Sequence, residues 1–309
     1  MEAVSRLKAT EIQRIAVPTV GGFHPFLEAK RSEILEVPRR TFKYGETERH
    51  KLDVYYPIGL DANYTAPVLV FIYGGGFNSG ERTFPEPFDL GYACLGAYFA
   101  RQGFVTVIPD YRLVPHVKFP GPAEDVRDAI EWIVNNPNNL MIPNSPIPNA
   151  DLLFVMGHSA GAAHVATMLL LPEILASTDL NSRISGVILN GGGYHFRSLT
   201  SDHPSAPIIA QYWGSLEESH QNDVWALLER APSLTIDELP KILLVEAERE
   251  PDWLKAVGKD FKDALEARTG LRIRKIIAAG HNHISPNWAL STGQGEEWAE
   301  NVVEWMKSE

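Results

Sequence analysis

Residues Phe154 to Ala163 read FVMGHSAGAA: a hydrophobic run stops at Gly157-His158-Ser159-Ala160-Gly161 and a small-residue, helix-compatible stretch takes over. Glycines two positions either side of a serine let the chain double back from a strand into a helix. The serine is then held on a strained turn with its hydroxyl exposed. The flanks suit that turn. Asp151 to Met156 is short, apolar and free of Gly and Pro, the form of a buried parallel strand, and Ala162 to Leu171 continues as a helix that Pro172 interrupts. A strand–elbow–helix unit of this kind demands a parallel sheet covered by helices, and it makes Ser159 the candidate nucleophile.

A serine hydroxyl is a weak nucleophile near neutral pH. It needs a base, a carboxylate to orient that base, and donors for the oxyanion that forms on attack. Pro67 to Ile72 is a second buried strand and runs into Tyr73-Gly74-Gly75-Gly76-Phe77. In hydrolases with this elbow, one donor is the amide after the nucleophile and the others come from a glycine-rich loop of this type. The expected oxyanion donors are therefore Gly75, Gly76 and Ala160. A phosphate cradle is disfavoured, because no GKS or GKT follows and there is no GxGxxG opening a helix.

The order of such a set along the chain is Ser, then Asp or Glu, then His. Lys241 to Val245 reads as a strand followed by an acidic loop, Glu246 to Asp252; Leu271 to Ile277 reads as the next strand, followed by Gly280-His281-Asn282-His283-Ile284-Ser285. One carboxylate of the first loop and either His281 or His283 should complete the set. Other histidines, such as His116, His164 and His203, are read as surface or packing residues. The His-x-His pair lacks HExxH and any partnered acidic or cysteine cluster, so no metal and no cofactor are expected.

With these residues assembled, the chain resembles serine carboxylesterases of the α/β-hydrolase fold. It stands between the hormone-sensitive-lipase-like esterases and the kynurenine formamidase and feruloyl-esterase-like group. Asp110-Tyr111-Arg112-Leu113-Val114-Pro115, with Phe119-Pro120 and Ala123-Glu124-Asp125-Val126, is similar to the DYRLAP…FPA…EDV signature of the lipase-like branch. The GHSAG elbow and the segment Lys43-Tyr44-Gly45…Lys51 to Pro57 resemble the formamidase side. The resemblance implies a mostly parallel sheet flanked by helices, a helical cap, and hydrolysis of a small-molecule ester. Two positions depart from the family pattern. Tyr73 stands where a histidine precedes the loop glycines. Aligning Val245 to Pro251 on the family's strand, small residue, Glu, any residue, Asp, Pro run puts Glu250 where Asp is usual, with Asp252 as the alternative. The family's base is a histidine followed by a bulky apolar residue, which favours His283 over the alternative His281.

At 309 residues and 44% hydrophobic, the chain fits one α/β domain. Two helical stripes read as core faces: Ala123, Val126, Ile130, Ile133 and Val134, and Leu254, Val257, Phe261 and Leu265. Residues 191–239 are long for a connection and are expected to form a cap insertion, to which residues 1–36 are expected to contribute. Phe77, Phe84, Tyr212, Trp213 and Trp288 are candidates to line a substrate pocket, with core or cap packing as the other reading. A formal charge of −11 argues against nucleic acid or an anionic membrane as partner, and no apolar run is long enough to span a bilayer. The first residues carry charges throughout and lack the apolar stretch of a secretory signal, and Cys94 stands alone, so a cytoplasmic setting is expected. A homodimer is left open. The expected activity is cleavage of short-chain or aryl carboxylic esters. The alternatives are an arylformamidase acting on an N-formylkynurenine-like substrate and a non-hydrolytic member of the fold, either a ligand-binding protein or a lyase or cyclase.

Overall fold

The apolar runs of the sequence become the centre of one eight-stranded sheet in a computed structural model that describes residues 1–176 and 178–309. The strands are β1 (Arg39–Lys43), β2 (Lys51–Tyr55), β3 (Thr65–Ile72), β4 (Val105–Pro109), β5 (Ile147–His158), β6 (Ile184–Asn190), β7 (Lys241–Arg249) and β8 (Arg274–Asn282). Their order across the sheet is β1-β2-β4-β3-β5-β6-β7-β8. β2 runs antiparallel to both its neighbours, and every pairing from β4 to β8 is parallel. The central strands are apolar on both faces because helices cover both. Val68 to Ile72 have no exposed surface at all.

Strand order decides where a site can form. The chain leaves β3 toward β4 on one side and leaves β5 toward β6 on the other. Right-handed crossovers in opposite directions place their helices on opposite faces, so a crevice opens beyond the carboxyl ends of β3 and β5. The loop that starts at Tyr73 and the turn at Ser159 lie at that switch point. Beyond a register shift between Pro67 and Val68, β3 and β5 pair without interruption to their carboxyl ends, with Ile72 opposite Gly157.

Several boundaries differ from the sequence reading. β7 continues to Arg249, so Glu246 to Arg249 belong to the strand; they alternate between outward and inward positions up to an irregularity in the pairing with β8. β8 starts at Arg274 and carries His281 and Asn282 on its last residues. The 3.6-residue stripe of Leu254, Val257, Phe261 and Leu265 is buried on the Asp252–Thr269 helix as its spacing predicts, and Val134 is the one half-buried member of the other stripe.

Residues 191–239 contain four short helices, Ala206–Trp213, Leu216–Asn222, Val224–Arg230 and Ser233–Asp237. The last two pack on the Ala160–Leu170 helix that follows the elbow. Apart from His164 and Thr167 that helix is apolar, and every one of its residues is buried. At the amino terminus, the Ile12–Ala29 helix packs against the Ser285–Ala289 helix, and the Glu2–Val4 turn packs against β8. No helix among the described residues is long and apolar enough to cross a membrane.

A methyl group on Gly161 would stand 2.2 Å from the carbonyl oxygen of Ile72 and 2.4 Å from that of Tyr73. Backbone cannot yield there as a flexible side chain would. Gly161→Ala should therefore destabilise the fold by about 1–3 kcal/mol, read as a lower urea midpoint at unchanged slope; an unaltered midpoint would contradict this packing.

Candidate active site

The elbow geometry follows from its glycines. Ser159 has φ 54° and ψ −122°, an unfavourable region for an L-residue. It persists because the turn is pinned. The Ser159 N–H donates to the Asn190 carbonyl on β6 at 2.9 Å, and the Ser159 carbonyl accepts from Ala162 and Ala163. A Cβ on Gly157 would stand 2.6 Å from the Ala162 Cα, so a side chain at either flanking glycine would collide with backbone. Ser159 is half-buried, although the residues on either side of it are buried.

The glycine-rich loop folds back over this turn. Gly75, Gly76 and Phe77 take φ values of 141°, 58° and 72°, all in the range that favours glycine. The loop is closed on Gly75, whose carbonyl accepts from the Ser79 N–H at 3.0 Å and from the Ser79 hydroxyl at 2.7 Å. The amides of Gly75, Gly76 and Ala160 donate to no acceptor among the described residues, which leaves them free for a ligand oxygen. Gly74 contributes by being small. A Cβ there would lie 2.7 Å from the Ser159 Cβ.

Tyr73, the departure from the family pattern, anchors the loop by a longer route. Its hydroxyl donates to Asp110 Oδ1 at 2.7 Å and accepts from Arg49 at 2.8 Å, and its ring stacks on Tyr111 at 4.8 Å. Asp110 also accepts from the Arg82 amide and pairs with the Arg82 guanidinium, while Arg49 donates to the Gly80 carbonyl. The loop is thus tied to the Asp110 carboxylate at both ends. The sequence reading did not foresee Asp110 in this role, although the Asp-Tyr-Arg run marked its neighbourhood.

His283 and Glu250 meet Ser159 where chain order required. The Ser159 hydroxyl lies 2.9 Å from His283 Nε2, and His283 Nδ1–H donates to Glu250 Oε2 at 2.7 Å. Both Glu250 and His283 are 1% exposed. The longer side chain of Glu fits because Gly191, with φ 56°, leaves room for it. A Cβ at Gly191 would be 2.7 Å from Glu250 Oε1 and 3.2 Å from His283 Nδ1. Gly191 was missed in the sequence; its signal was the run Gly191-Gly192-Gly193 after β6. The alternatives lie elsewhere. Asp252 is the exposed first residue of a helix, where its charge suits the dipole. His281 bonds through Nε2–H to the Gly295 carbonyl at 2.7 Å and through Nδ1 to the Ser285 hydroxyl at 2.9 Å.

The His283 turn is itself held from several sides. Asn282 Oδ1 accepts from the amides of Ile284 and Ser285, each at 3.0 Å, and Asn282 Nδ2 donates to Thr19 Oγ1 at 2.8 Å. The amino-terminal helix therefore braces the turn from behind.

The five candidate pocket aromatics separate into two packed groups. Phe77 stacks on Tyr212 at 4.7 Å and meets Trp213 edge-on at 5.2 Å, while Phe84 lies 5.4 Å from Trp288. Phe77, Tyr212, Trp213 and Trp288 are each less than a tenth exposed, so their area is spent mainly on one another. A surface groove of about 500 Å³ lies at the opposite end of the sheet, between Arg39, Pro57, Ile58 and Asn144. None of Ser159, His283 and Glu250 lines it.

Burial pushes the imidazoles of His158 and His164 down to about 3 and that of His281 to about 4. In the unfolded chain each takes up a proton near its ordinary value of about 6.5. Between about pH 6.5 and 4 the unfolded state then binds more protons than the folded one. This contribution to stability is complete above that window and is lost as pH falls through it. Urea midpoints should accordingly drop between about pH 7 and pH 5, and a flat profile would show that these rings are not buried neutral.

Comparisons with known proteins bear on the fold and on sequence similarity. Residues 52–186 match the BD-FAE family. The isoprenylcysteine α-carbonyl methylesterase of Arabidopsis thaliana is 24% identical over 262 residues, covering 79% of this chain and 56% of that protein. A probable methylesterase of the same name from Oryza sativa is 25% identical over 256 residues, again covering 79% and 56%. The chain thus spans about half the length of the curated relatives it matches. Among solved structures, esterase B from Lactobacillus rhamnosis superposes with a TM-score of 0.69 at 16% identity, covering 96% of this chain and 95% of that one. A fungal esterase from Rhizomucor miehei gives 0.64 at 23% identity, covering 93% and 90%. The chain has the α/β-hydrolase fold and is similar in sequence to methylesterases.

Proposed function

We propose that this protein is a serine hydrolase that cleaves short-chain or aryl carboxylic esters through an acyl-enzyme. The observation that carries the proposal is the unbroken series from the Ser159 hydroxyl to His283 at 2.9 Å and on to the buried Glu250 carboxylate at 2.7 Å. His283 removes the Ser159 proton as the oxygen attacks the ester carbonyl. Glu250 holds the imidazole in the tautomer whose Nε2 is free to accept, and it stabilises the imidazolium that forms. The oxyanion is received by the amides of Gly75, Gly76 and Ala160, each such donor contributing about 3–4 kcal/mol to the barrier reduction. His283 then protonates the leaving alcohol, and water hydrolyses the acyl-enzyme by the same steps in reverse.

The methylesterase names of the curated relatives support an ester with a small leaving group. Residues 191–239 form the cap of this enzyme. The substrate is a small molecule and the setting cytoplasmic, in keeping with the single buried free cysteine, Cys94.

Ser159→Ala should lower turnover of a chromogenic acetyl ester by about 10⁴-fold or more with an unchanged circular dichroism spectrum; retained turnover would refute the nucleophile. Glu250→Gln should cost about 10⁴-fold in kcat. Asp252→Asn should leave kcat within about threefold, because an exposed helix-terminal carboxylate contributes little beyond the helix dipole. The reverse ranking would move the acid to Asp252. A substrate panel spanning acyl lengths and aryl formamides distinguishes esterase from formamidase.

A further inference from the structure

One buried imidazole at the site has no part in the proposed reaction. His158 lies inside the elbow, one residue before the nucleophile, and is 4% exposed. Its Nε2 is 2.8 Å from the main-chain carbonyl oxygen of His283. A carbonyl can only accept, so Nε2 carries the hydrogen and donates. The two imidazole rings lie 4.8 Å apart between centroids, tilted by 35°. On the opposite side, His158 Nδ1 has no partner and stands 3.2 Å from the place a Cβ on Gly74 would occupy. The ring therefore fills the space between the glycine-rich loop and the base turn.

The direction in which an imidazole projects is set by its own peptide plane. A hydrogen bond to the carbonyl of the base residue fixes that plane, and a ring packed against the imidazole limits its swing. No other side chain among the described residues donates to that carbonyl. We propose that His158 is a positioning residue for His283: its Nε2–H holds the base's main chain so that Nε2 of His283 stays within reach of Ser159. This rests on reading Ser159, His283 and Glu250 as the reacting set. Neutrality is part of the role, because a charged ring at this separation would oppose the imidazolium that forms on His283. Burial supplies that neutrality by pushing His158 down to about 3.

The test compares His158→Gln with His158→Asn in the full chain. The amide nitrogen of Gln reaches as far as Nε2 of the histidine; that of Asn reaches only as far as Nδ1. Two rates are measured, steady-state hydrolysis of p-nitrophenyl acetate and labelling of Ser159 by a fluorophosphonate followed by mass mapping, with thermal midpoints recorded alongside. His158→Asn should lower kcat about 10- to 100-fold at nearly constant KM and slow labelling in proportion. His158→Gln should recover most of both rates. Equal rates in Gln and Asn at comparable midpoints, or a loss confined to KM, would overturn the proposal. Wild-type protein that is not labelled at Ser159 would remove the serine-hydrolase reading itself, and this proposal with it.

Discussion

The carboxyl ends of β3 and β5 approach so closely that no side chain fits between them, and the rest of the site is hung from that contact. Gly161 lies against the Ile72 and Tyr73 carbonyls, and Gly74 against the Ser159 side chain. These distances come from adjacent parallel strands that end in register and then diverge in opposite directions. The strained Ser159 backbone is tolerable because sheet, helix and loop fix it at once. Local strain of about 1–3 kcal/mol persists only where the surroundings over-determine it.

Around that contact, polar groups are buried in two hubs, each serving one loop. Asp110 gathers Tyr73, Arg82 and, through the tyrosine, Arg49, and so closes the glycine-rich loop at both ends. Asn282 ties the His283 turn to Thr19 on the amino-terminal helix. Buried carboxylates and amides are costly unless their hydrogen bonds are met, and here they are met by residues from distant parts of the chain. Such hubs convert desolvation cost into loop position. The same burial keeps His158, His164 and His281 neutral, so no fixed positive charge from these rings stands near the His283 imidazole.

The elbow and the glycine loop were legible in the sequence because each is a local rule. Two glycines flanking a serine, or three in succession after a strand, state which backbone conformations are open to a few adjacent residues. The strand ends were less legible. Glu246 to Arg249 looked like a loop from their charge, yet pairing with β8 keeps them in the sheet, with Glu246 and Glu248 on one face and the Arg249 side chain bonded to the Val4 carbonyl. The aromatic residues were less legible still, since a ring that lines a pocket and a ring that packs on another ring have the same hydropathy.

Local residue patterns were enough to read off the strand–elbow–helix unit and the glycine-rich loop, and they offered two carboxylates and two imidazoles further along the chain. Which of these lie beside Ser159 depends on long-range packing. His283 lies 124 residues from Ser159 and 33 from Glu250, and which imidazole faces the hydroxyl depends on where β8 ends against β7. Residues two apart on a strand share a face, so what separates His283 from His281 is the end of β8 at Asn282: His281 stays bonded to Gly295 and Ser285, while the turn held by the Asn282 side chain carries His283 to Ser159. The turn at Pro251 into a helix leaves Glu250 inside and Asp252 in water.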